Sequence, residues 1–559
     1  MMSFSQDPLV AEQQMHAIIF YLTAFGYIDG DFDKSEKRFV QDHIAKLVAH
    51  RAQQALGADA AHHGDVVERW TRHFHEVLDG IDQQIQGYFS ESVGEGESTR
   101  QFVLAKLKLR CFELFRSFDE ASRAALLATV DELIHADGMV HPNEQVFRDE
   151  LFGLLRAPIE IHEADLEPIE EGAVVVDSAK RLEVKQADHP FFRGTESDYA
   201  KDPATFARQS EADLALMKRF TAKLDEQRAA GANRLAGAKD FSSFAGQEPF
   251  LDGHVYVLPP KPGKEYELLV IGDLHGCYSC LKAALMQADF FAKVQAYHDD
   301  PDKNPFTALV LLGDYIDRGR FSYNGILRTV MQLFVTVPEH VYVLRGNHEY
   351  YVEINGKVLA PVRPCEAMDS IKGMASNEVF AAYMHLFEVL PNMLVFDRTL
   401  FVHAGIPRED TLAAKWHGLT SLNDPELRFQ MLWSDPSEAD VVPLELQKAN
   451  ARFPFGKLQF RQFMAKLGCK TLVRGHERVI EGFRKIYDDP DAMLLSLFSA
   501  GGATNDDLPL ESNYRQVTPM ALTIKHRDGI QQVTPFLIDY GRYNDPRYNA
   551  FFRDQVALG

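Results

Sequence analysis

Five short segments of this 559-residue chain carry side chains that could bind metal ions: Gly-Asp-Leu-His-Gly (272–276), Gly-Asp-Tyr-Ile-Asp-Arg-Gly (313–319), Gly-Asn-His-Glu (346–349), His403 and His476. Aspartate and histidine bind divalent transition metals, and an aspartate can bridge two of them. Two metals about 3.5–4 Å apart can bind the attacking and leaving oxygens of a phosphoryl group, and they lower the pKa of a bound water. The set therefore predicts a two-metal phosphoesterase centre.

The elements that must position these segments are strands, because each segment directly follows a short apolar run. Continuous runs of four to six apolar residues suit strands buried on both faces. Ligands bind beyond the carboxyl ends of the strands in open α/β sheets, so we expect the segments to converge along one edge of the sheet. A lone histidine after a strand is more often a core residue, but five such segments in order indicate one site. The predicted strands are 267–271, 308–312, 341–344, 400–402 and 471–473.

The first three segments resemble the signature of the PPP-family metallophosphatases, which include the protein serine/threonine phosphatases and the bacterial symmetrical dinucleoside tetraphosphatase. The resemblance covers about residues 250–540. It implies an α/β (α+β) fold, the calcineurin-like metallophosphoesterase β-sandwich: two packed mixed sheets flanked by helices. An all-α region precedes it in this chain.

The same resemblance implies roles for individual residues. His348 would donate a proton to the leaving alcohol, oriented by Asp317, and a positioned acid of this kind contributes roughly 10²–10⁴ in rate. Arg318 would hold the phosphate with its planar fork, and Arg452, which follows Leu432-Trp-Ser-Asp-Pro436, is the candidate second arginine. The implied metal ligands are Asp273 and His275 for the first ion, Asp314 as the bridge, and Asn347, His403 and His476 for the second.

The chain departs from the family pattern at two places. Ala404-Gly405 replaces the usual Gly-Gly after the fourth histidine, as in the nucleotide-cleaving branch. The C-terminal loop that often carries an active-site tyrosine reads Ser499-Ala-Gly-Gly-Ala503 and contains none.

Cys277 and Cys280 resemble a redox or zinc pair, but no second pair exists, and packing at the start of a helix is the preferred interpretation.

Length and composition limit the number of domains, the binding partners and the cellular location. A chain of 559 residues exceeds one ordinary core, so two or more domains are expected. The net charge of −22 repels a phosphate backbone, which argues against nucleic-acid binding. Five cysteines in a chain of this length indicate a reducing compartment. The sequence contains no run of 18 apolar residues, which a membrane span would need. A cytoplasmic protein is therefore expected. The apolar stretch 17–27 reads as a buried helix, not a signal peptide.

Three regions separate by pattern. Residues 1–157 have helical periodicity and contain one motif twice, at Asp29-Gly30 and at Asp137-Gly138. The motif is an Asp-Gly turn, five further residues, a Glu and then an amphipathic helix. We interpret each turn as a helix end followed by a cap, on Asp33 or Ser35 in the first copy and on Asn143 or His141 in the second, with Pro142 able to open a helix. The paired motif resembles the TerB-like helical domain. Residues 158–249 are predicted as a connecting arm, and residues 250–559 as the metallophosphoesterase catalytic domain.

The leading functional hypothesis is a phosphoserine/phosphothreonine protein phosphatase in which a hydroxide bridging two divalent metals attacks phosphorus in line. Manganese is the expected metal, and iron and zinc accept the same ligands. The expected partners are a phosphoprotein or phosphopeptide substrate and a regulatory partner of the helical region. The alternative is a symmetrical dinucleoside polyphosphate hydrolase or broad phosphoesterase, and the third reading is a non-catalytic phosphate-binding scaffold.

Overall fold

The computed structural model describes residues 4–28, 32–56, 64–91, 93–94, 97–134, 142–157, 174–196, 203–354, 357–360, 362, 365–489 and 491–553. They form two compact units. The helical unit comprises residues 1–162 and 437–450, and the sheet unit comprises residues 163–436 and 451–559.

The α-helices are α1 (Pro8–Gly26), α2 (Lys34–Leu56), α3 (Gly64–Tyr88), α4 (Thr99–Arg116), α5 (Glu120–Ile134), α6 (Pro142–Arg156), α7 (Pro190–Thr195), α8 (Pro203–Gly231), α9 (Tyr278–Gln287), α10 (Phe290–Asp299), α11 (Arg328–Thr336), α12 (Glu366–Met374), α13 (Asn377–Val389), α14 (Glu409–Lys415), α15 (Pro425–Gln430), α16 (Leu444–Gln447) and α17 (Lys457–Leu467).

The strands are β1 (Val174–Val176), β2 (Lys180–Arg181), β3 (Phe250–Asp252), β4 (Val255–Leu258), β5 (Tyr266–Ile271), β6 (Phe306–Leu311), β7 (Val341–Val343), β8 (Val352–Ile354), β9 (Lys357–Leu359), β10 (Met393–Phe396), β11 (Thr399–Val402), β12 (Asp435–Pro436), β13 (Pro454–Phe455), β14 (Thr471–Arg474), β15 (Phe483–Asp489), β16 (Ala492–Leu497), β17 (Met520–Arg527) and β18 (Ile530–Leu537).

The helical unit is built around α1. From residue 17 to residue 26 every residue of α1 is buried, and a helix that is apolar all round belongs in the centre of a bundle. This confirms the prediction of a buried helix there. Asp33 caps α2, because its Oδ1 accepts hydrogen bonds from the N–H groups of Ser35 and Glu36 at 2.7 and 2.9 Å. The second predicted helix start is also found, since α6 begins at Pro142.

The turn residues Asp29, Asp31, Asp137 and His141 lie outside the described residues. The similarity to the TerB-like domain and the domain boundaries 1–157, 158–249 and 250–559 stay predictions.

Residues 437–450, the insert segment, belong to the helical unit although they lie far along the chain. Val442 and Leu446 are each 5% exposed and join the core formed by the first six helices. The hydroxyl of Ser437 donates to Glu113 at 2.5 Å, and Arg110 pairs with Glu438 at 2.6 Å. Apolar burial and polar contacts together therefore fix this segment on α4 and its neighbours.

The sheet unit contains two large mixed sheets. The first has the strand order β1-β18-β17-β5-β6-β7, with β2 beside β18, and β5, β6 and β7 run parallel. The second has the order β15-β16-β14-β11-β10-β4-β3, with β11, β14 and β16 parallel. All five strands predicted from the apolar runs are present, as β5, β6, β7, β11 and β14.

Side-chain alternation shows that the sheets pack face to face. Along β10, Leu394 and Phe396 point into the core that includes β5, β6 and β17, whereas Met393 and Val395 point into a second core under α17. Successive side chains of a strand point to opposite faces, so this strand is buried on both sides. The prediction of two packed mixed sheets flanked by helices is confirmed.

The strands that carry the metal-binding segments are arranged differently from the expectation. The metal-binding segments were expected along one sheet edge, but the structure divides their strands between the two sheets: β5, β6 and β7 belong to the first, and β11 and β14 to the second. A single sheet would spread five segments over about 20 Å, at about 4.8 Å per strand. Two stacked sheets bring them closer together.

The last hairpin follows its sequence signal. Asp528-Gly529 joins β17 and β18 with φ values of 48° and 78°, both in the left-handed region that a type I′ turn requires. In the described part of the chain, no helix is both long and apolar enough to cross a lipid bilayer.

Helix α8, which lies in the predicted connecting arm, packs on α11 within the sheet unit. Arg328 of α11 forms a two-point ion pair with Asp213 of α8, at 2.9 and 3.0 Å, and both side chains are less than a tenth exposed. Phe220 of α8 packs on Phe334 of α11 beside this pair. The arm is therefore held by a buried charge pair and an aromatic contact.

We predict that Asp213→Ala lowers the free energy of unfolding by about 3–5 kcal/mol, because it removes the buried carboxylate that accepts two hydrogen bonds from the Arg328 guanidinium. Urea denaturation of the purified chain measures the change. Lys218→Ala is the matched control, because Lys218 of α8 pairs with Glu378 at an exposed position and should cost less than about 1 kcal/mol. Equal losses in the two variants would contradict the assignment.

Candidate metal centre

The six predicted metal ligands converge in one buried site. The loop after β5 meets the loop after β6 directly, since the N–H groups of Leu274 and His275 donate to the carbonyl of Asp314 at 3.0 and 2.9 Å. The second sheet joins through the N–H of His476, which donates to Asp273 Oδ1 at 2.9 Å. Each ligand is 8% exposed or less: Asp273, His275, Asp314, Asn347, His403 and His476.

One group of donor atoms has the geometry of a single coordination shell. Asn347 Oδ1 lies 2.8 Å from His403 Nε2 and 3.0 Å from His476 Nδ1, and the two histidine nitrogens are 3.2 Å apart. Asp314 Oδ1 is 3.4 Å from His403 Nε2. Ligands about 2.0–2.2 Å from one ion are separated from each other by about 3–3.5 Å, which is the spacing seen here.

A second group surrounds the other oxygen of the same aspartate. His275 Nε2 is 3.5 Å from Asp314 Oδ2 and 3.8 Å from Asp273 Oδ2. Asp314 thus offers one oxygen to each group, which is the arrangement a bridging carboxylate needs.

Hydrogen bonds fix the lone pairs of two histidines toward the site. Nδ1 of His275 lies 2.9 Å from the Ile316 carbonyl, and Nδ1 of His403 lies 3.0 Å from the Leu312 carbonyl. A carbonyl oxygen only accepts hydrogen bonds, so Nδ1 of each ring carries the proton. Nε2 of each ring therefore keeps a lone pair that can bind a metal ion. His403 Nε2, His476 Nδ1 and Asn347 Oδ1 lie within 3.2 Å of one another, and either a proton on His476 Nδ1 or a cation among the three atoms satisfies them. The residues therefore fit a pair of divalent cations.

The charges of the site agree with this fit. Burial, followed by the charge of Asp273, raises the pKa of Asp314 well above its usual value, and burial lowers the pKa of His275, His403 and His476. A buried carboxylate pair is unfavourable without nearby positive charge. Bound divalent cations would supply that charge.

His348 and Asp317 lie at the rim of the same cluster. His348 Nδ1 is 2.6 Å from Asp317 Oδ2, which leaves Nε2 facing the metal ligands, 3.8 Å from Asp314 Oδ2. The other oxygen of Asp317 accepts the Ala367 N–H at 2.7 Å. Burial, followed by the charges of Arg318 and Arg452, lowers the pKa of His348, and burial raises the pKa of Asp317 to about 6.

Both predicted phosphate-binding arginines are present near the site, and each is held by a carboxylate. Arg318 pairs with Glu366 at 2.9 Å. Arg452 pairs with Asp435 at 2.6 Å, and the second oxygen of Asp435 accepts from the fully buried Arg474 at 2.9 Å. Asp435 belongs to the Trp433-Ser-Asp-Pro436 element that the sequence singled out, but its function as a clamp for two arginines was not foreseen.

A tyrosine that the sequence did not predict lies against the centre. Tyr514 comes from a 3-10 turn after the Ser499–Ala503 loop, and its ring centroid is 5.2 Å from that of His275. Burial raises the pKa of the Tyr514 phenol and the nearby Arg318 charge lowers it, and the net result is a rise to about 12. The phenol is thus protonated at neutral pH and able to donate a hydrogen bond. The expected loop does lack a tyrosine, and the residue that fills the space comes from eleven positions further along the chain.

The backbone of the site is unusual. Five of its residues adopt positive φ angles between 41° and 70°, a region that costs most residues energy: His275, Asp314, Asp317, Arg318 and His476. Two glycines are required by close contact. A Cβ on Gly475 would lie 2.0 Å from Asp273 Oδ1, and one on Gly346 would lie 2.2 Å from Asp314 Oδ1.

Glu349 holds two of these loops together. Its carboxylate is fully buried and accepts the N–H groups of Asp314 and Tyr315 at 2.8 Å and that of Gly346 at 3.0 Å. Its own carbonyl accepts from the Arg345 side chain at 2.8 Å. The sequence analysis included Glu349 in the Gly-Asn-His-Glu segment without a function, and the structure shows that its carboxylate anchors the backbone of the loop that carries Asp314.

We predict that Glu349→Gln destabilises the metal-free chain by about 2–4 kcal/mol, because the amide NH₂ must face N–H donors where a carboxylate oxygen stood. Chemical denaturation in the presence of a chelator measures this without a contribution from bound metal. Glu378→Gln, on an exposed position of α13, is the control and should leave the midpoint unchanged. An unchanged midpoint for Glu349→Gln would show that the carboxylate is not the anchor.

Comparison with known proteins adds an independent observation. The family model described as "Calcineurin-like phosphoesterase" matches residues 266–479. A probable serine/threonine-protein phosphatase of Encephalitozoon cuniculi is 29% identical over 226 residues, covering 39% of this chain and 44% of that protein. The serine/threonine-protein phosphatase 4 catalytic subunit of Saccharomyces cerevisiae is 27% identical over 200 residues, covering 33% of this chain and 57% of that protein.

Among solved structures, a protein serine/threonine phosphatase from Saccharomyces cerevisiae, with similarity to human phosphatase PP5, is 15% identical. The match covers 59% of this chain and 90% of that one, with a TM-score of 0.37. This chain spans about half the length of the curated relatives it matches. The matched region begins with β5 and ends just beyond His476, and so contains all six candidate metal ligands. Residues 266–479 of this chain are a calcineurin-like phosphoesterase domain.

Proposed function

We propose that this protein is a metal-dependent phosphomonoesterase that removes phosphate from phosphoserine and phosphothreonine in proteins. The observation that carries the proposal is the convergence of six metal donors, the His348–Asp317 pair and two arginines on one buried site. The relatives named above, both serine/threonine-protein phosphatases, support the substrate class.

We propose a pair of divalent cations at the centre, with manganese as the working pair and iron or zinc as chemically acceptable replacements. When bound, such a pair polarises the phosphoryl oxygens and provides a water nucleophile of lowered pKa. Asp314 would hold both ions, Asp273 and His275 the first, and Asn347, His403 and His476 the second.

The remaining residues handle the substrate. Arg318 and Arg452 would grip phosphoryl oxygens with their planar forks, and the phosphate would take over from Glu366 as the partner of Arg318. A bound phosphate would also offset the arginine charges that lower the pKa of His348. Its Nε2 would then hold a proton for the leaving serine or threonine oxygen, while Asp317 keeps the ring in place through Nδ1.

The central test compares substrates on the purified chain loaded with manganese. We predict release of phosphate from phosphoserine and phosphothreonine peptides, loss of this activity on chelation, and its return on adding manganese. His348→Asn should lower kcat roughly 10²–10⁴-fold with little change in KM, because the variant loses the proton donor.

His385→Asn, at an exposed position on α13, is the control for His348→Asn and should retain full activity. Cleavage of diadenosine tetraphosphate without action on phosphopeptides would favour the dinucleoside polyphosphate hydrolase that Ala404-Gly405 hinted at. Bound metal with no hydrolysis of any phosphoester would instead favour the phosphate-binding scaffold.

We place the protein in the cytoplasm. All five cysteines are buried and none of them forms a disulfide, which suits a reducing compartment.

We also propose that residues 1–157 form a separate regulatory domain, joined by the arm 158–249 to a catalytic domain of residues 250–559. The insert segment supports this proposal, because it packs with the helices while each of its ends is separated by one residue from Asp435 or Arg452, which form an ion pair. A partner that shifts the helices would pull on both ends of the segment and so change the position of Arg452.

We predict that Glu113→Ala, which removes the contact to Ser437, raises KM for a phosphopeptide several-fold. The effect should disappear in an Arg452→Ala background, because residues that act through one another give non-additive effects. Steady-state kinetics of the single and double variants measures the coupling. Arg72→Ala, which breaks an exposed pair on α3, is the control. Additive effects of Glu113→Ala and Arg452→Ala would rule out transmission through the insert segment.

A further inference from the structure

A second cluster of metal-binding side chains lies at the opposite end of the first sheet. His298 is in the last turn of α10, and Glu339 and His340 directly precede β7. One ligand atom from each residue lies within 4.8 Å of those from the other two. The catalytic centre is beyond the carboxyl ends of β6 and β7, whereas this cluster is beside their amino ends. The strand residues from Thr307 to Leu311 alone separate the two by about 13 Å.

His340 is the buried member and is built like a metal ligand. It is 0% exposed, and its Nδ1 lies 2.6 Å from the carbonyl of Thr307. A carbonyl only accepts, so Nδ1 donates a proton and Nε2 of the neutral ring carries a lone pair. Metal-binding histidines almost always donate their other N–H to a carbonyl or carboxylate in this way.

The lone pair of His340 has no partner in the protein. Among the described residues none forms a hydrogen bond with its Nε2, although that atom is buried. An unpaired buried polar atom costs about 1–3 kcal/mol, so its persistence needs a reason. The backbone N–H and carbonyl of His340 are both paired, to Val337 and Leu309, and the ring stacks on Phe306, so the ring cannot simply turn away.

The two other members lie beside the His340 ring and are exposed to solvent. The His298 ring lies 4.9 Å from the His340 ring, centroid to centroid, and its Nε2 is 3.9 Å from a Glu339 oxygen. Their side chains are 43% and 55% exposed, so both can adjust by small rotations to close the shell. Two imidazoles and one carboxylate, with a fourth position open to water, form a well-known ligand set for zinc.

We propose that His298, Glu339 and His340 bind a zinc ion that joins the end of α10 to the start of β7. The site is separate from the catalytic pair and shares no ligand with it. Because His340 is fixed by the sheet, bound zinc would hold the end of α10 and so stabilise the sheet unit.

Metal counting tests the proposal on the full-length chain. Wild type, the double variant His298→Ala/Glu339→Gln and the control His385→Ala are dialysed against the same zinc buffer and analysed by mass spectrometry. We expect the wild type and the control to hold one more zinc per chain than the double variant, whatever the occupancy of the catalytic centre. Both changed residues are exposed, so the double variant should fold.

Two further readouts sharpen the result. Cobalt added in place of zinc should give the intense absorption of a tetrahedral ion, and the wild-type spectrum minus the double-variant spectrum should contain it. Zinc should raise the melting temperature of the wild type more than that of the double variant. Equal zinc content in all three chains, at a zinc concentration that saturates the control, would overturn the proposal, and so would a cobalt difference spectrum without tetrahedral bands.

Discussion

The active-site half of the molecule depends on one buried carboxylate. Glu349 accepts N–H groups from both the loop after β6 and the loop after β7, and so sets the distance between Asp314 and Asn347. Asp314 offers one oxygen to each of the two donor groups and Asn347 belongs to one of them, so the geometry of the candidate site follows from that distance. The carboxylate is fully buried. It acts by fixing backbone that would otherwise relax, which is how loops can hold ligands to a fraction of an ångström.

Such an anchor is needed because the loops are strained. Residues with positive φ cluster at the centre, and each costs of order 1–3 kcal/mol where the side chain is bulky. The strain is useful, because sharp left-handed turns let a side chain point back over the end of its own strand. Glycine is needed at 475 and 346 because a Cβ there would collide with the carboxylate of Asp273 or Asp314. The packed sheets below the site supply the rigidity that keeps these turns in place.

Much of this could be predicted from the sequence, and the rest has identifiable causes. The five strands were correct because buried parallel strands leave continuous apolar runs, and the Asp528-Gly529 turn was correct because few dipeptides accept two positive φ angles. The division of the strands between two sheets was missed, since apolar runs carry no pairing information. Tyr514 was missed because a three-dimensional neighbour of His275 need not occupy the expected loop. His298 and His340 are 42 positions apart, and only the parallel pairing of β6 and β7 reveals that they are neighbours.

The insert segment has a consequence for the order of events during synthesis. Val442 and Leu446 complete the core of the helical unit, yet they leave the ribosome about 290 residues after the last helix that they cover. At about 5–20 residues per second, translation needs about 15–60 s to cover that distance. Throughout this interval the helices have an uncovered apolar face, and the sheet unit has to be largely synthesised before that face can close. The core of the helical unit can therefore be completed only after most of the sheet unit has been synthesised.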